Sequence, residues 1–264
     1  MASRQAIQGE LSRRLLLGEL IARNARKFPD KEAVVFGDTS LTYGEFNGRI
    51  NRLAHALQEM GVGKGDKVTL LMANCNQYLE CYFALAKIGA VAVPVNFRLH
   101  PGEIAYIVNN ADAVAVVVGE QFIDTVRGIQ KELPMVRQYI SVTAAPVEGM
   151  FHYETLIRNY PDEEVLVLVE EDDPVFIMYT AGTTGRPKGA VLTHQGQVMM
   201  WLLAFVQFLS EPGVGNMWDF RVCSPAPLFH LASFGCCQAH LLVGATVILP
   251  TQTFDPAEIM ETIE

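Results

Sequence analysis

Between residues 66 and 143, short valine-rich runs alternate with stretches of helical periodicity. "VTLLMAN" (68–74) is followed by a helical pattern over 76–88, "AVAVPVN" (90–96) by one over 101–110, and "AVAVVVG" (113–119) by one near 121–133. A strand near 138–143 continues the series. Continuous apolar runs of strand length suit strands covered on both faces, and an intervening helix supplies the crossover that parallel strands require. The chain is therefore read as α/β.

Upstream, Leu11, Leu15, Leu16, Leu20, Ile21 and Ala25 fall at helical spacing and predict one amphipathic helix that stops at "FPD". "EAVVFGDTSLTY" predicts a hairpin turning at Gly37 and Asp38, after which Thr42 caps a helix to about Met60, with Glu45 as the reciprocal capping partner. "GVGKGDK" marks the end of that helix. Beyond residue 143 the pattern lapses. Asp162, Glu163, Glu164, Glu170, Glu171, Asp172 and Asp173 have no base among them and read as a solvated connector. Regularity resumes with "VFIMYT" (175–180), "GAVLT" (189–193), a helix over 194–209, the strand "FRVCSP", a helix over 230–242, the strand "ATVILP" and a helical start at "FDPAEIMETIE". No repeat of solenoid or propeller length is visible. Because the sequence stops within a helical pattern, a piece of a longer protein is expected.

Composition narrows the partners. With 264 residues, 50% of them hydrophobic, the chain can bury a sizeable core, and a net charge of −9 argues against a nucleic-acid partner. Five cysteines without a CxxC pair make a disulfide framework unexpected, which fits the cytoplasm. The N-terminus lacks the apolar core of a signal peptide. The charge-free region 222–254 is cut by Pro225, Pro227, Gly235, Gly244 and Pro250 into lengths too short to span a bilayer.

"YTAGTTGRPKGAVLTH" (179–194) interrupts two apolar runs with a different chemistry. Gly182, Gly185 and Gly189 free the backbone for positive φ and close approach. Thr180, Thr183 and Thr184 add hydroxyls, Lys188 adds a cation, and Pro187 stiffens the turn. Several donors, one cation and no carboxylate describe a receptor for a polyphosphate. It is not a Walker A loop: Pro187 precedes the lysine, Gly189 follows it, and the segment leads into a strand. "GVGKGD" (61–66) likewise fails the dinucleotide pattern, because Asp66 stands at the last glycine position.

These residues resemble the phosphate-loop signature of the adenylate-forming superfamily, which includes acyl-CoA synthetases, the adenylation domains of nonribosomal peptide synthesis and the luciferases. "LTYGEFNGRINRLAHAL" (41–57), "ALAKIGAVAVPVN" (84–96) and "PAPLFHLASFG" (225–235) support the resemblance in the expected order. Ala181 stands where the family usually has serine. The resemblance implies formation of an acyl-adenylate from a small-molecule carboxylic acid and ATP with Mg2+, then transfer of the acyl group to coenzyme A. It assigns phosphate binding to Thr180, Gly182, Thr183, Thr184, Gly185 and Lys188, and places Phe229 and His230 beside the acyl pocket. His55, His100, His152 and His240 have no such context, and adjacent Cys236 and Cys237 point to different faces of a helix, so no metal site is assigned.

The implied fold is the N-terminal part of the large domain of an acyl-CoA synthetase-like protein. Two α/β layers are expected, the first over 66–209, the second joining 1–65 to 210–264 and incomplete, with the C-terminal domain absent. Catalytic residues are then expected downstream of Glu264, activity of this piece alone is not expected, and self-association through its unfinished sheet stays open. Two alternatives also stay open: an amino-acid adenylation domain and a non-catalytic nucleotide-binding module.

Overall fold

The structure is a computed structural model and describes residues 4–180, 185–209, 216, 219–250 and 256–263. Two helices, α1 (Arg4–Leu11) and α2 (Leu17–Lys27), precede the hairpin β1 (Glu32–Phe36) and β2 (Thr39–Thr42), and α3 (Tyr43–Glu59) follows. The α/β series then runs β3 (Lys67–Leu71), α4 (Asn76–Ile88), β4 (Val91–Pro94), α5 (Pro101–Asn110), β5 (Ala113–Gly119), α6 (Ile123–Ile129) and β6 (Gln138–Val142). Next come β7 (Phe151–His152), α7 (Tyr153–Arg158), β8 (Pro174–Thr180), β9 (Lys188–Thr193) and α8 (His194–Leu209). The described residues close with β10 (Arg221–Cys223), α9 (Leu231–Leu242), β11 (Thr246–Leu249) and α10 (Pro256–Ile263).

Among the described residues the strands form two sheets, of seven strands in the order β7-β6-β5-β3-β4-β8-β9 and of four in the order β10-β11-β1-β2. The larger sheet is parallel from β7 through β8, as the valine-rich runs imply, and only β9 runs antiparallel, against β8. The smaller sheet draws on both ends of the sequence, because β1 pairs in parallel with β11. Gly37, at φ +53, turns the β1–β2 hairpin, and Thr42 with Glu45 forms the expected reciprocal cap on α3.

Helix α4 lies at the centre of the main core. Its sequence, NQYLECYFALAKI, is apolar on every side, and nearly every residue is buried. Two charged side chains on it are fully accounted for. The Glu80 carboxylate accepts from Arg49, Asn76 and the Tyr153 hydroxyl, which ties α4 to α3 and α7. Lys87 donates to Asn47, Asn51 and Glu164. Burial opposes ionisation of Glu164, but the Lys87 ammonium and the amide hydrogen bonds outweigh it and hold the carboxyl below its ordinary range.

Three expectations need correction. The N-terminal helix is broken in two: Leu16 is extended at φ −106, ψ 134, with the Leu15 N–H donating to Glu171 and the Leu17 N–H to His194 Nδ1. Tertiary partners for the backbone thus override local periodicity. The acidic stretch is not simply solvated. Glu164 pairs with Lys87, Glu170 with Arg14 and Asp173 with Lys64, so its bases come from distant elements. Within the stretch read as irregular, β7 and α7 add an edge strand and a short helix, the latter capped by His152.

His194 joins the N-terminal helices to the start of α8. It is fully buried, its Nδ1 accepts from Leu17, and its own N–H donates to the Asp173 carbonyl. Burial depresses its pKa from 6.5 to about 4, only partly opposed by the Asp173 charge. The unfolded chain binds a proton near pH 6.5 that the folded chain refuses until about pH 4, so stability is complete above pH 6.5 and falls between those values. A shift of that size corresponds to on the order of 3 kcal/mol. His194→Asn, which keeps an acceptor for Leu17, is expected to flatten the acid limb in urea unfolding at pH 7 and pH 4.5. An equally steep limb in the variant would remove His194 from this role.

Candidate active site

Strands β8 and β9 form the shoulders of the glycine- and threonine-rich loop. Their antiparallel register sets Thr180 opposite Lys188 and Tyr179 opposite Gly189. Val175, Phe176 and Met178 bury one face of β8 in the main core, while Thr180 and Lys188 at the open end are exposed. No ion pair engages Lys188 among the described residues, which leaves its ammonium free of any carboxylate within them. Gly182, Thr183 and Thr184, with Ala181, lie outside the described residues.

The glycine reading changes at Gly189. It does not take a positive φ, and a Cβ there would meet Ile177 Cγ2 at 2.6 Å and the Tyr179 ring at 3.1 Å. Gly189 is therefore demanded by side chains packed across the hairpin, not by a backbone turn.

Phe229 and His230 arrive from the other sheet's connections, and the side chains of the larger sheet fix them. Asn74, just past β3, donates its amide to the Ala226 carbonyl at 2.9 Å and accepts from the Leu228 N–H at 2.8 Å. The Tyr82 hydroxyl donates to the Leu228 carbonyl at 2.9 Å, and its ring stacks on Phe234 at 3.8 Å between centroids. Phe229 meets Phe97 edge-on at 5.2 Å, and Phe97 stacks on Phe122. His230 caps α9, its Nδ1 accepting from the Ala232 N–H at 3.2 Å. That bond puts the proton of the neutral ring on Nε2, which becomes the nitrogen able to donate outward.

Together these elements enclose a cleft of about 500 Å3 at the carboxyl ends of β4 and β8. Pro94, Met178 and Leu192 make apolar wall, and Thr180, Phe229 and His230 share the same space. Among the described residues no carboxylate lines it. Ligands of open parallel sheets bind outside the carboxyl ends of strands, so the position suits a small molecule. The sequence reading missed Asn74 and Phe97. Asn74 had a signal, a polar residue immediately beyond a parallel strand. Phe97 had none, since its partners are remote in sequence.

The His240 Nδ1 lies 2.8 Å from the Cys236 carbonyl oxygen one turn back, the local contact of a helical histidine. Among the described residues no group of three His, Cys, Asp or Glu converges, and no helix is long and apolar enough to cross a membrane.

The fold and the cleft define an α/β protein with a small-molecule-sized cleft between an apolar wall and the hairpin that carries Thr180. The family described as AMP-binding enzyme matches residues 21–264, and the chain belongs to it. A feruloyl-CoA synthase from an Amycolatopsis species is 36% identical over 249 residues, covering 94% of this chain and 46% of that protein. A long-chain-fatty-acid–CoA ligase from Thermus thermophilus is 35% identical over 257 residues, with coverages of 95% and 46%. Among solved structures, a fatty acyl CoA synthetase from Mycobacterium tuberculosis superimposes with a TM-score of 0.82 at 28% identity, over 94% of this chain and 47% of that one. The chain thus spans about half the length of the curated relatives it matches.

The Asn74 amide can be tested alone. Asn74→Asp keeps the acceptor for Leu228 but sets an oxygen against the Ala226 carbonyl, and urea unfolding should show a loss of about 1–3 kcal/mol. A loss below about 0.5 kcal/mol, the range of surface substitutions, would mean that the bridge contributes nothing net.

Proposed function

We propose that this chain is the phosphate-gripping and acid-receiving part of an ATP-dependent carboxylic acid–CoA ligase acting in the cytoplasm. The observation that carries the reading is the single cleft shared by Thr180, on the loop's shoulder, and by Phe229 and His230. Family membership and the names of the relatives support the same reading.

A carboxylate is a poor acyl donor until its oxygen has attacked the α-phosphorus of ATP. Negative charge then grows on the departing pyrophosphate, and donors already aimed at it lower the barrier without reorganising. Thr180 and Lys188 face one another across the hairpin for that task, and Gly182, Thr183, Thr184 and Gly185 are proposed to complete the grip with backbone amides and hydroxyls. Phe229 and the apolar wall would receive the acid's body, with His230 Nε2 as a donor beside it. The described residues offer no carboxylate cage for a metal, so Mg2+ is assigned to the phosphates with which it arrives. Coenzyme A is proposed as acceptor of the acyl group on the strength of the relatives. The division into an α/β unit over 66–209 and a second over 1–65 and 210–264 is likewise proposed.

Amino-acid activation is the weaker reading, because among the described residues the cleft offers an α-ammonium group no carboxylate to pair with. Acid-dependent exchange of pyrophosphate into ATP by the full-length protein, scored over aromatic, fatty and amino acids, tests the proposal. Exchange with apolar acids is expected, and none with any acid would overturn it. Lys188→Ala should lower kcat/KM for ATP by about 10- to 100-fold, the worth of one charge-assisted hydrogen bond. Its melting temperature should not move, since Lys188 is exposed.

A further inference from the structure

Helix α5 touches both shoulders of the phosphate loop. Tyr106 and Asn110 are four residues apart and so lie on one face of the helix. The Tyr179 hydroxyl, just before the loop, donates to Asn110 Oδ1 at 2.7 Å. Arg186, just before Pro187 on the returning side, holds its guanidinium carbon 5.2 Å from the centre of the Tyr106 ring. The helix itself is firmly seated. Ile104, Ala105, Ile107 and Val108 bury its other face in the core of the larger sheet, and His100 with Glu103 caps its start.

We propose that Tyr106 and Asn110 are positioning residues for the phosphate loop, Tyr106 by holding Arg186 and Asn110 by holding Tyr179. The proposal rests on the reading of that loop as the phosphate grip. The chain enters the loop at Tyr179 and leaves it past Arg186, so fixing both points to one rigid helix fixes the span between them. Ile107, on the same helix, lines the cleft, so α5 sets the loop and the cleft wall in one frame. Arg186 does not act here as a phosphate ligand. Its charge is spent on the ring face, where a planar guanidinium stacks well.

The test uses Tyr106→Leu, Tyr106→Phe, Arg186→Gln and the double variant Y106L/R186Q. In the full-length protein, Y106L and R186Q should each raise KM for ATP by about threefold, the size of one exposed cation–π contact, with kcat within about twofold. Y106L leaves the arginine charge in place, so a rise there reports position and not charge. The double variant should be no worse than either single one, and Y106F should match the wild type because it keeps the ring. Multiplying effects, an unchanged KM, or a Y106F as impaired as Y106L would overturn the proposal. Hydrogen exchange in the 188–193 strand of the same variants gives a readout independent of activity. Faster exchange in Y106L and R186Q but not in Y106F supports the clamp, and no change contradicts it. Should the wild type exchange no pyrophosphate with any acid, the functional reading fails while hydrogen exchange still decides the positioning claim. Should Y106L not fold, hydrogen exchange in R186Q, a change at an exposed site, still decides the positioning claim.

Discussion

One buried amide holds the site together. Asn74 stands at the end of the central strand β3 and grips a segment more than 150 residues away, donating to Ala226 and accepting from Leu228. An amide suits this role because it is donor and acceptor at once, so both backbone groups are satisfied in a place closed to water. It ties the segment carrying Phe229 and His230 to the end of β3 at two backbone groups. The Tyr82 hydroxyl adds a third bond to the same segment, and the stack of Tyr82 on Phe234 carries the grip into α9. The apolar side of the cleft is thereby tied to the larger sheet, the sheet that also ends in the β8–β9 hairpin.

The other side of the cleft follows from a change of direction. After a series of parallel strands, β9 returns antiparallel to β8, so the loop between them must lie where β3, β4 and β8 end. A parallel sheet gathers the carboxyl ends of its strands on one side, and there any ligand meets the loops of several strands at once. Thr180 and Lys188 reach that side as cross-strand neighbours, and Gly189 leaves room for the Tyr179 ring packed against it. Buried polar groups elsewhere have a different task. Lys87 with Glu164, Glu80 with Arg49, and His194 with Leu17 each join segments distant in sequence and fix how the helices sit on the sheets. Such pairs add little net stability over an apolar core, yet removing one partner is costly, so they penalise any other arrangement of the helices.

Much of this was legible in the sequence wherever local signals agreed with the tertiary result. The runs at 101–110, 113–119 and 194–209 match α5, β5 and α8 end for end, because caps, apolar runs and prolines all mark the same boundaries. The Gly37 turn and the Thr42 cap are equally local. The break between α1 and α2 was hidden, since the apolar spacing continues across it and only distant Glu171 and His194 interrupt the helix. The pairing of Glu164, Glu170 and Asp173 was hidden for the same reason: charge along the chain says nothing of bases brought in from α4, from the N-terminal segment or from the turn between α3 and β3. In the site, the glycines, threonines and Lys188 carry the phosphate reading by composition alone, and it stands as a proposal. Gly189 was read for the wrong cause. Phe97 and the α5 contacts depend on which elements meet, information that no local window holds.

The central claim is that the turn between β8 and β9 grips the phosphates of ATP. A crystal structure of the full-length protein with ATP tests it most directly. The account expects the Lys188 Nζ and the Thr180 hydroxyl at hydrogen-bond distance from β- or γ-phosphate oxygens, about 2.7–3.0 Å, with an apolar acid or its adenylate beside Phe229. A nucleotide seated elsewhere, with Lys188 turned to solvent, would contradict it.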